Sequence, residues 1–320
     1  MEVLRWRGQG RRRAHAAAAL ARGAIREESR RDAWSAHPTL SPSGLAYAGR
    51  TNGRAATIGE IREIRDAFVR SAVLARAAGA DGVEVHSAHG YLLDQFLWHV
   101  TNRRDDEYGG PRLRDRARLL TEIVRGIRDA CGRDFIVSVR VSQWKEADFG
   151  ARIAASPQEL GEFLDVIATA ADVVHASTRR FWQPEWEGSE LGLAGWATKL
   201  GRLPVITVGS VGLRAAIMER AAEEGSGAGP GGGVGFAGVG TDASVAVEEA
   251  RVIEPSLREL ARRFDAGDFE LVAVGRSLIA DPEWVRKIER GDFAGVRVYR
   301  RADLGVAQHA GGSIALPTMP

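Results

Sequence analysis

Cysteine is nearly missing from these 320 residues: Cys131 stands alone, so no disulfide can form within one chain. No run of about 18 apolar residues occurs, which excludes a membrane-spanning helix. No recognisable secretory leader is present, which makes the cytoplasm the expected compartment. Charge of one sign is barely in excess. The 44 Lys and Arg stand against 42 Asp and Glu, for a net +2, so a pI near 8.9 reflects a small surplus of arginine rather than a polybasic tract. Neither nucleic acid nor membrane is expected as a partner, while a homo-oligomer is left open. With 44% hydrophobic and 27% charged residues, the chain can bury a sizeable core.

Two stretches depart from ordinary globular composition. Arg5 to Arg31 is rich in Arg and Ala and poor in acids, as a transit peptide, a basic arm or a loop would be. Residues 225–240 are Gly-rich, and Gly233-Val234-Gly235-Phe236-Ala237-Gly238 formally matches a dinucleotide fingerprint. That fingerprint needs a strand before it, and here the preceding residues are polar and helix-like, so a flexible surface insertion is expected.

Elsewhere helix starts are legible. Thr57-Ile58-Gly59-Glu60 is a capping box followed by Ile61, Ile64, Phe68, Ala72 and Ala75 at helical spacing until Gly79. Ser156-Pro157-Gln158-Glu159 repeats the device with Pro at the first helical position. A helix is predicted over about Asp115 to Ala130, placing Cys131 at its end as a half-buried small side chain, and another opens at Asp281-Pro282. Short apolar, β-branched runs lie between: Gly82 to His86, Phe135 to Val141, Asp172 to His175, Pro204 to Val208 and Leu271 to Val274. Strands alternating with helices imply right-handed βαβ units in an α/β fold. Chemistry-bearing residues follow the ends of many of these strands, which favours a barrel over an open sheet with one crevice. Met1 to Trp6 can supply one further strand, giving six where a closed barrel has eight.

The segment Asp81-Gly82-Val83-Glu84-Val85-His86-Ser87-Ala88-His89-Gly90-Tyr91-Leu92-Leu93-Asp94 carries the densest chemistry. A strand delivers His86 to the mouth of the fold, and the next turn sets His89 and Tyr91 beside it. Neutral imidazole N–H groups suit a partly negative oxygen and a phenol can supply a proton, so a conjugated carbonyl is the substrate class expected. Two other readings compete: His86, His89 and Asp94 as metal ligands, or the two histidines as capping groups at a strand end.

This segment resembles the active-site signature of the Old Yellow Enzyme family of FMN-dependent ene-reductases. The likeness continues through Thr101-Asn102-Arg103-Arg104-Asp105-Asp106-Glu107-Tyr108-Gly109-Gly110, Val139-Arg140-Val141-Ser142, Pro204-Val205-Ile206-Thr207-Val208-Gly209-Ser210, and Val272-Ala273-Val274-Gly275-Arg276 with Asp281-Pro282. It implies a TIM (β/α)₈ barrel, with His86 and His89 holding the substrate carbonyl and Tyr91 as proton donor to the carbon beside it. It further implies that Arg140 lies along the pyrimidine edge of the flavin. Gly209, Ser210, Gly275 and Arg276 would hold the FMN phosphate, glycines letting backbone N–H groups approach and Arg276 chelating it. The loop Ala176-Ser177-Thr178-Arg179-Arg180-Phe181-Trp182 would line the substrate or nicotinamide entrance.

The sequence also departs from that family. Leu4-Arg5-Trp6-Arg7-Gly8 stands where a third strand with a Gln is usual, and Arg7 where a His is usual; Ser41-Pro42-Ser43-Gly44-Leu45 then resembles the next loop. The basic N-terminal stretch is therefore read as a loop region, and the first two strand–helix units as absent. The expectation is a partial FMN-binding barrel over residues 1–300 with a tail over 301–320. It would use NADH or NADPH to reduce activated C=C bonds of small α,β-unsaturated carbonyl compounds, with hydride from flavin N5 and a proton from Tyr91, and would hold no metal. The reading from another class is an inactive barrel remnant with weak or no flavin binding.

Overall fold

A computed structural model of the chain describes residues 16–23, 39–213, 243–300 and 303. Met1 to Trp6, the Gly-rich 225–240 and all of the 301–320 tail except Asp303 lie outside the described residues.

Six strands form one parallel sheet, in the order β1 (Ala16–Ala19), β2 (Gly82–His89), β3 (Ile136–Lys145), β4 (Val173–Ser177), β5 (Val205–Val208) and β6 (Leu271–Val272). Each neighbour in space is also the next sheet strand in sequence, as repeated βα units require. The expected strand positions for β2 to β6 hold, though β2 and β3 run three and four residues past the predicted ends. The reason is pairing between the two strands: beyond each predicted end the backbone continues the ladder, with His89 opposite Lys145 across a register shift.

One expectation is corrected. The strand beside β2 is made by Ala16–Ala19, inside the stretch read as a loop. Four consecutive alanines carry no strand signal of their own. Here the exposed edge of Gly82–Val85 supplies the ladder partner, and tertiary pairing overrides a residue type that prefers helix.

Helices follow the signals that predicted them. Ile58–Ala77 starts at Thr57 with both halves of the capping box made, Glu60 N–H donating to Thr57 Oγ1 and Thr57 N–H to the Glu60 carboxylate. Pro157–Ile167 starts at Ser156, whose hydroxyl accepts from Glu159 N–H. The Asp115 to Ala130 prediction resolves into Leu113–Arg116 and Arg118–Cys131, the latter burying Leu119, Leu120, Ile123, Val124, Ile127 and Cys131. Gly132, at φ 75°, ends it in a conformation that a side chain disfavours. Val83, Val85, Val137 and Val139 are buried, while alternate strand positions carry Glu84, His86, Ser138 and Arg140. A sheet that is apolar on one face and polar on the other thus positions the chemistry.

The chain divides into two compact units, residues 1–209 with 263–273, and residues 210–262 with 274–320. The first holds the sheet. In the second, Arg276–Ala280 and Trp284–Glu289 are joined at the buried Asp281, which accepts from Glu283 N–H, Arg297 N–H and Lys287 Nζ. Ser277 donates to the carbonyl of Val211, and Leu213, Ala280 and Tyr299 cluster. No described helix is long and apolar enough to cross a membrane.

Candidate active site at the strand ends

Register places His86 opposite Arg140 and Arg140 opposite His175, so three strands present one polar row. The His86 and His89 rings lie 5.2 Å apart, and Tyr91 meets His86 edge-on at 5.0 Å. His89 adopts φ 63°, a left-handed conformation rare for a side-chain-bearing residue, just where β2 shifts register. That bend turns its ring onto Trp144 at 4.4 Å and aims Nε2 at Ser177 Oγ, 2.8 Å away. Arg140 donates from Nη2 to the same Ser177 Oγ at 3.1 Å. Arg140 lies within β3 rather than at its end, because the strand continues to Lys145.

Beneath this row, Glu84 accepts from Ser138 at 3.1 Å, pairs with His175 Nδ1 at 2.8 Å and lies 4.0 Å from Arg140. Burial pushes the Glu84 carboxyl up, but His175, Arg140 and Ser138 together outweigh it and leave it below its ordinary value. His86 is pushed down to about 4 and His89 to about 2, first by burial and then by the charge of Arg140. Both rings are therefore neutral at physiological pH, each offering one N–H. Tyr91 is raised by burial and by Glu146, whose carboxylate accepts from its hydroxyl at 3.4 Å, so the phenol keeps its proton.

The four residues assigned to a phosphate divide between the units. Gly209 closes the first, at φ 150°, where a Cβ would meet Thr178 Oγ1 at 2.5 Å, so no larger residue fits. In the second unit Ser210 is buried at φ 53°, the space around the Gly275 α-carbon is open, and the Arg276 guanidinium lies 5.7 Å over Tyr299.

Sequence reasoning missed Ser177 as a contact of His89 and Arg140, Trp144 as a wall, and the buried pair Asp94–Lys145 that underpins the turn. Asp94 accepts from Gly90 N–H and from Lys145 Nζ, 2.9 Å away. A lysine four residues past a strand's apolar run reads as a solvated end, and only the continued pairing of β3 buries it. Among the described residues no group of three or more His, Cys, Asp or Glu comes together as a metal site.

A family model described as the NADH:flavin oxidoreductase / NADH oxidase family matches residues 21–226. The chain belongs to that family. Its members are flavin oxidoreductases that use FMN with NADH or NADPH as reductant, and the Old Yellow Enzyme resemblance stands. The chain is 33% identical over 258 residues to the NADH oxidase of Thermoanaerobacter brockii, covering 78% of this chain and 32% of that one. It is 50% identical over 90 residues to the cinnamate reductase of Clostridium sporogenes, covering 28% of this chain and 13% of that one. Among solved structures, morphinone reductase in complex with tetrahydroNAD aligns with a TM-score of 0.62 at 21% identity, covering 91% of this chain and 69% of that one, which shows a shared fold. The chain spans about a third of the length of the first of these relatives and less of the second.

Proposed function

We propose that this chain is an FMN-dependent oxidoreductase that takes reducing equivalents from NADH or NADPH and reduces activated C=C bonds of α,β-unsaturated carbonyl compounds. In architecture we read the six strands as part of a (β/α)₈ barrel extending over residues 1–300, with a tail after it. The observation that carries the reading is the convergence of two neutral imidazoles, a protonated phenol and a guanidinium on one rim of the sheet. Orphaned polar atoms there suit a flat, polar-edged ring: His86 Nε2 and Trp144 Nε1 are buried without hydrogen-bond partners among the described residues.

FMN, when bound, supplies the hydride acceptor and donor that no side chain here can replace. Arg140 would hold negative charge at the pyrimidine edge of the ring, its position fixed by Ser177 and Glu84. His86 and His89 would orient the carbonyl oxygen of the substrate and draw electron density toward it, leaving the β-carbon electron-poor. Tyr91 would give its proton to the α-carbon. Gly209, Ser210, Gly275 and Arg276 are assigned to the FMN phosphate by the family resemblance, supported by the open approach to Gly275.

The test is spectroscopic. The purified chain should take up FMN, lose the oxidised flavin absorbance when NADPH or NADH is added without oxygen, and regain it on addition of an enone. A colourless protein unable to retain added FMN would reject the reading and favour the inactive remnant.

A further inference from the structure

Outside the His86–His89 row the first unit contains a polar cavity of about 250 Å³, whose charged lining is Arg152, Arg179, Arg180 and Glu185. It shares a wall with the site already described, since Ser177 and Trp144 line it and both touch His89. Its size is below the roughly 300–1,000 Å³ of pockets that enclose a whole small-molecule ligand, so it suits one end of a longer molecule.

The walls are built rather than casual. Gln143, buried, accepts from Ile153 and Ala154 N–H and donates to the Ala154 carbonyl, fixing the loop that carries Arg152. Arg152 is paired with Glu185 across the lining. The Arg179 guanidinium lies 3.7 Å from the centre of the Phe149 ring, and Phe149 meets Trp144 at a tilt of 57° with ring centres 6.0 Å apart. A row of rings therefore runs from His89 through Trp144 to Phe149 and ends in a cation. Burial and then repulsion by Arg180 lower the proton affinity of Arg179, which a bound anion would relieve.

Resting on the reductase reading above, we propose that this cavity is the subsite for the phosphorylated adenosine end of the nicotinamide reductant, with Arg179 and Arg180 taking its phosphate. Guanidinium groups hold phosphate through charge-assisted, two-pronged hydrogen bonds. The nicotinamide end of the same molecule then lies toward His86 and His89, across the shared Ser177–Trp144 wall.

The test is calorimetric titration of the full chain, with and without added FMN, using probes that lack nicotinamide: 2′,5′-ADP, 5′-ADP and 3′-phosphoadenosine 5′-phosphate. One of the first two should bind, and Arg179→Gln and Arg180→Gln should each weaken it by about tenfold or more while the circular dichroism spectrum stays unchanged. Glutamine keeps part of the side-chain stem over Phe149, so the charge is tested apart from the packing. A preference for 2′,5′-ADP or for 5′-ADP identifies the phosphate that the arginines read. Absence of binding by both, or binding that neither variant weakens, overturns the proposal. Tightest binding of 3′-phosphoadenosine 5′-phosphate overturns the assignment to the reductant in favour of a coenzyme A thioester. Arginine-dependent binding of either ADP to a chain that cannot take up FMN overturns the reductase reading and leaves the subsite standing.

Discussion

Ser177 and His89 are joined across 88 positions of sequence by one 2.8 Å hydrogen bond. Its direction depends on the His89 tautomer, because the serine oxygen has two lone pairs and already accepts from Arg140. We predict that Ser177 gives its one proton to His89 Nε2, so that the ring presents Nδ1–H. We expect the long-range imidazole ¹⁵N spectrum of the labelled chain at neutral pH to show His89 as the Nδ1–H tautomer. Ser177→Ala should relax that preference, and Ser177→Thr should restore it. An Nε2–H tautomer in the unaltered chain would contradict the direction assigned to the bond.

Tyr91 differs from the histidines in what its loss should do. Its phenol lies 5.0 Å from the His86 ring and is held protonated beside Glu146, and in the proposed reaction it would act only where a proton must reach carbon. Tyr91→Phe is expected to slow enone reduction by about a hundredfold, the lower end of what a positioned general acid contributes. Reduction of bound flavin by the nicotinamide should be nearly unchanged. Rapid-mixing measurement of the two half-reactions separates them, and equal losses in both would remove Tyr91 from the proton-transfer step.

The motif His86-x-x-His89-x-Tyr91 was legible because its members are close in sequence and follow a clear strand. So were the caps at Thr57 and Ser156, where local chemistry alone sets the helix start. What the sequence hid depends on pairing between distant segments. Ala16–Ala19 becomes a strand only because Gly82–Val85 offers an edge, and Lys145 becomes a buried ion-pair partner only because β3 keeps its ladder beyond Val141. Ser177 looks like any small residue after an apolar run until the left-handed turn at His89 brings an imidazole to it.

Stability should depend on pH through the site histidines. His86 titrates near 4 in the folded chain against about 6.5 when exposed, so below pH 6.5 the unfolded chain binds a proton that the folded one refuses. Stability is then fully retained above 6.5 and falls as the pH drops toward 4, by up to roughly 3 kcal/mol from this residue. Urea midpoints measured from pH 8 to 4 for the chain and for His86→Gln isolate the contribution, since carboxylate effects cancel in the difference. The gap between the two curves should be constant above pH 6.5 and shrink or reverse below it. A gap independent of pH would mean that His86 titrates normally.

Asp94 and Lys145 form an ion pair 2.9 Å long with almost no exposure, 0% and 1% for the two side chains. Burial raises the Asp94 carboxyl and lowers the Lys145 ammonium, each opposed by its partner. Neither group has water to fall back on. Lys145 also donates to the carbonyls of Ser142 and Gln143, and Asp94 accepts from Gly90 N–H, so the pair fastens β3 to the turn between His89 and Tyr91. Lys145→Met should therefore cost about 3–5 kcal/mol, because the carboxylate is left buried without a counter-charge. Adding Asp94→Asn should return a large part of that loss, since a neutral amide can still accept from Gly90 N–H without an uncompensated charge. Denaturant unfolding of the single and double variants measures both terms. A double variant no more stable than Lys145→Met would locate the loss in the lysine's contacts with Ser142 and Gln143 instead of in the stranded charge.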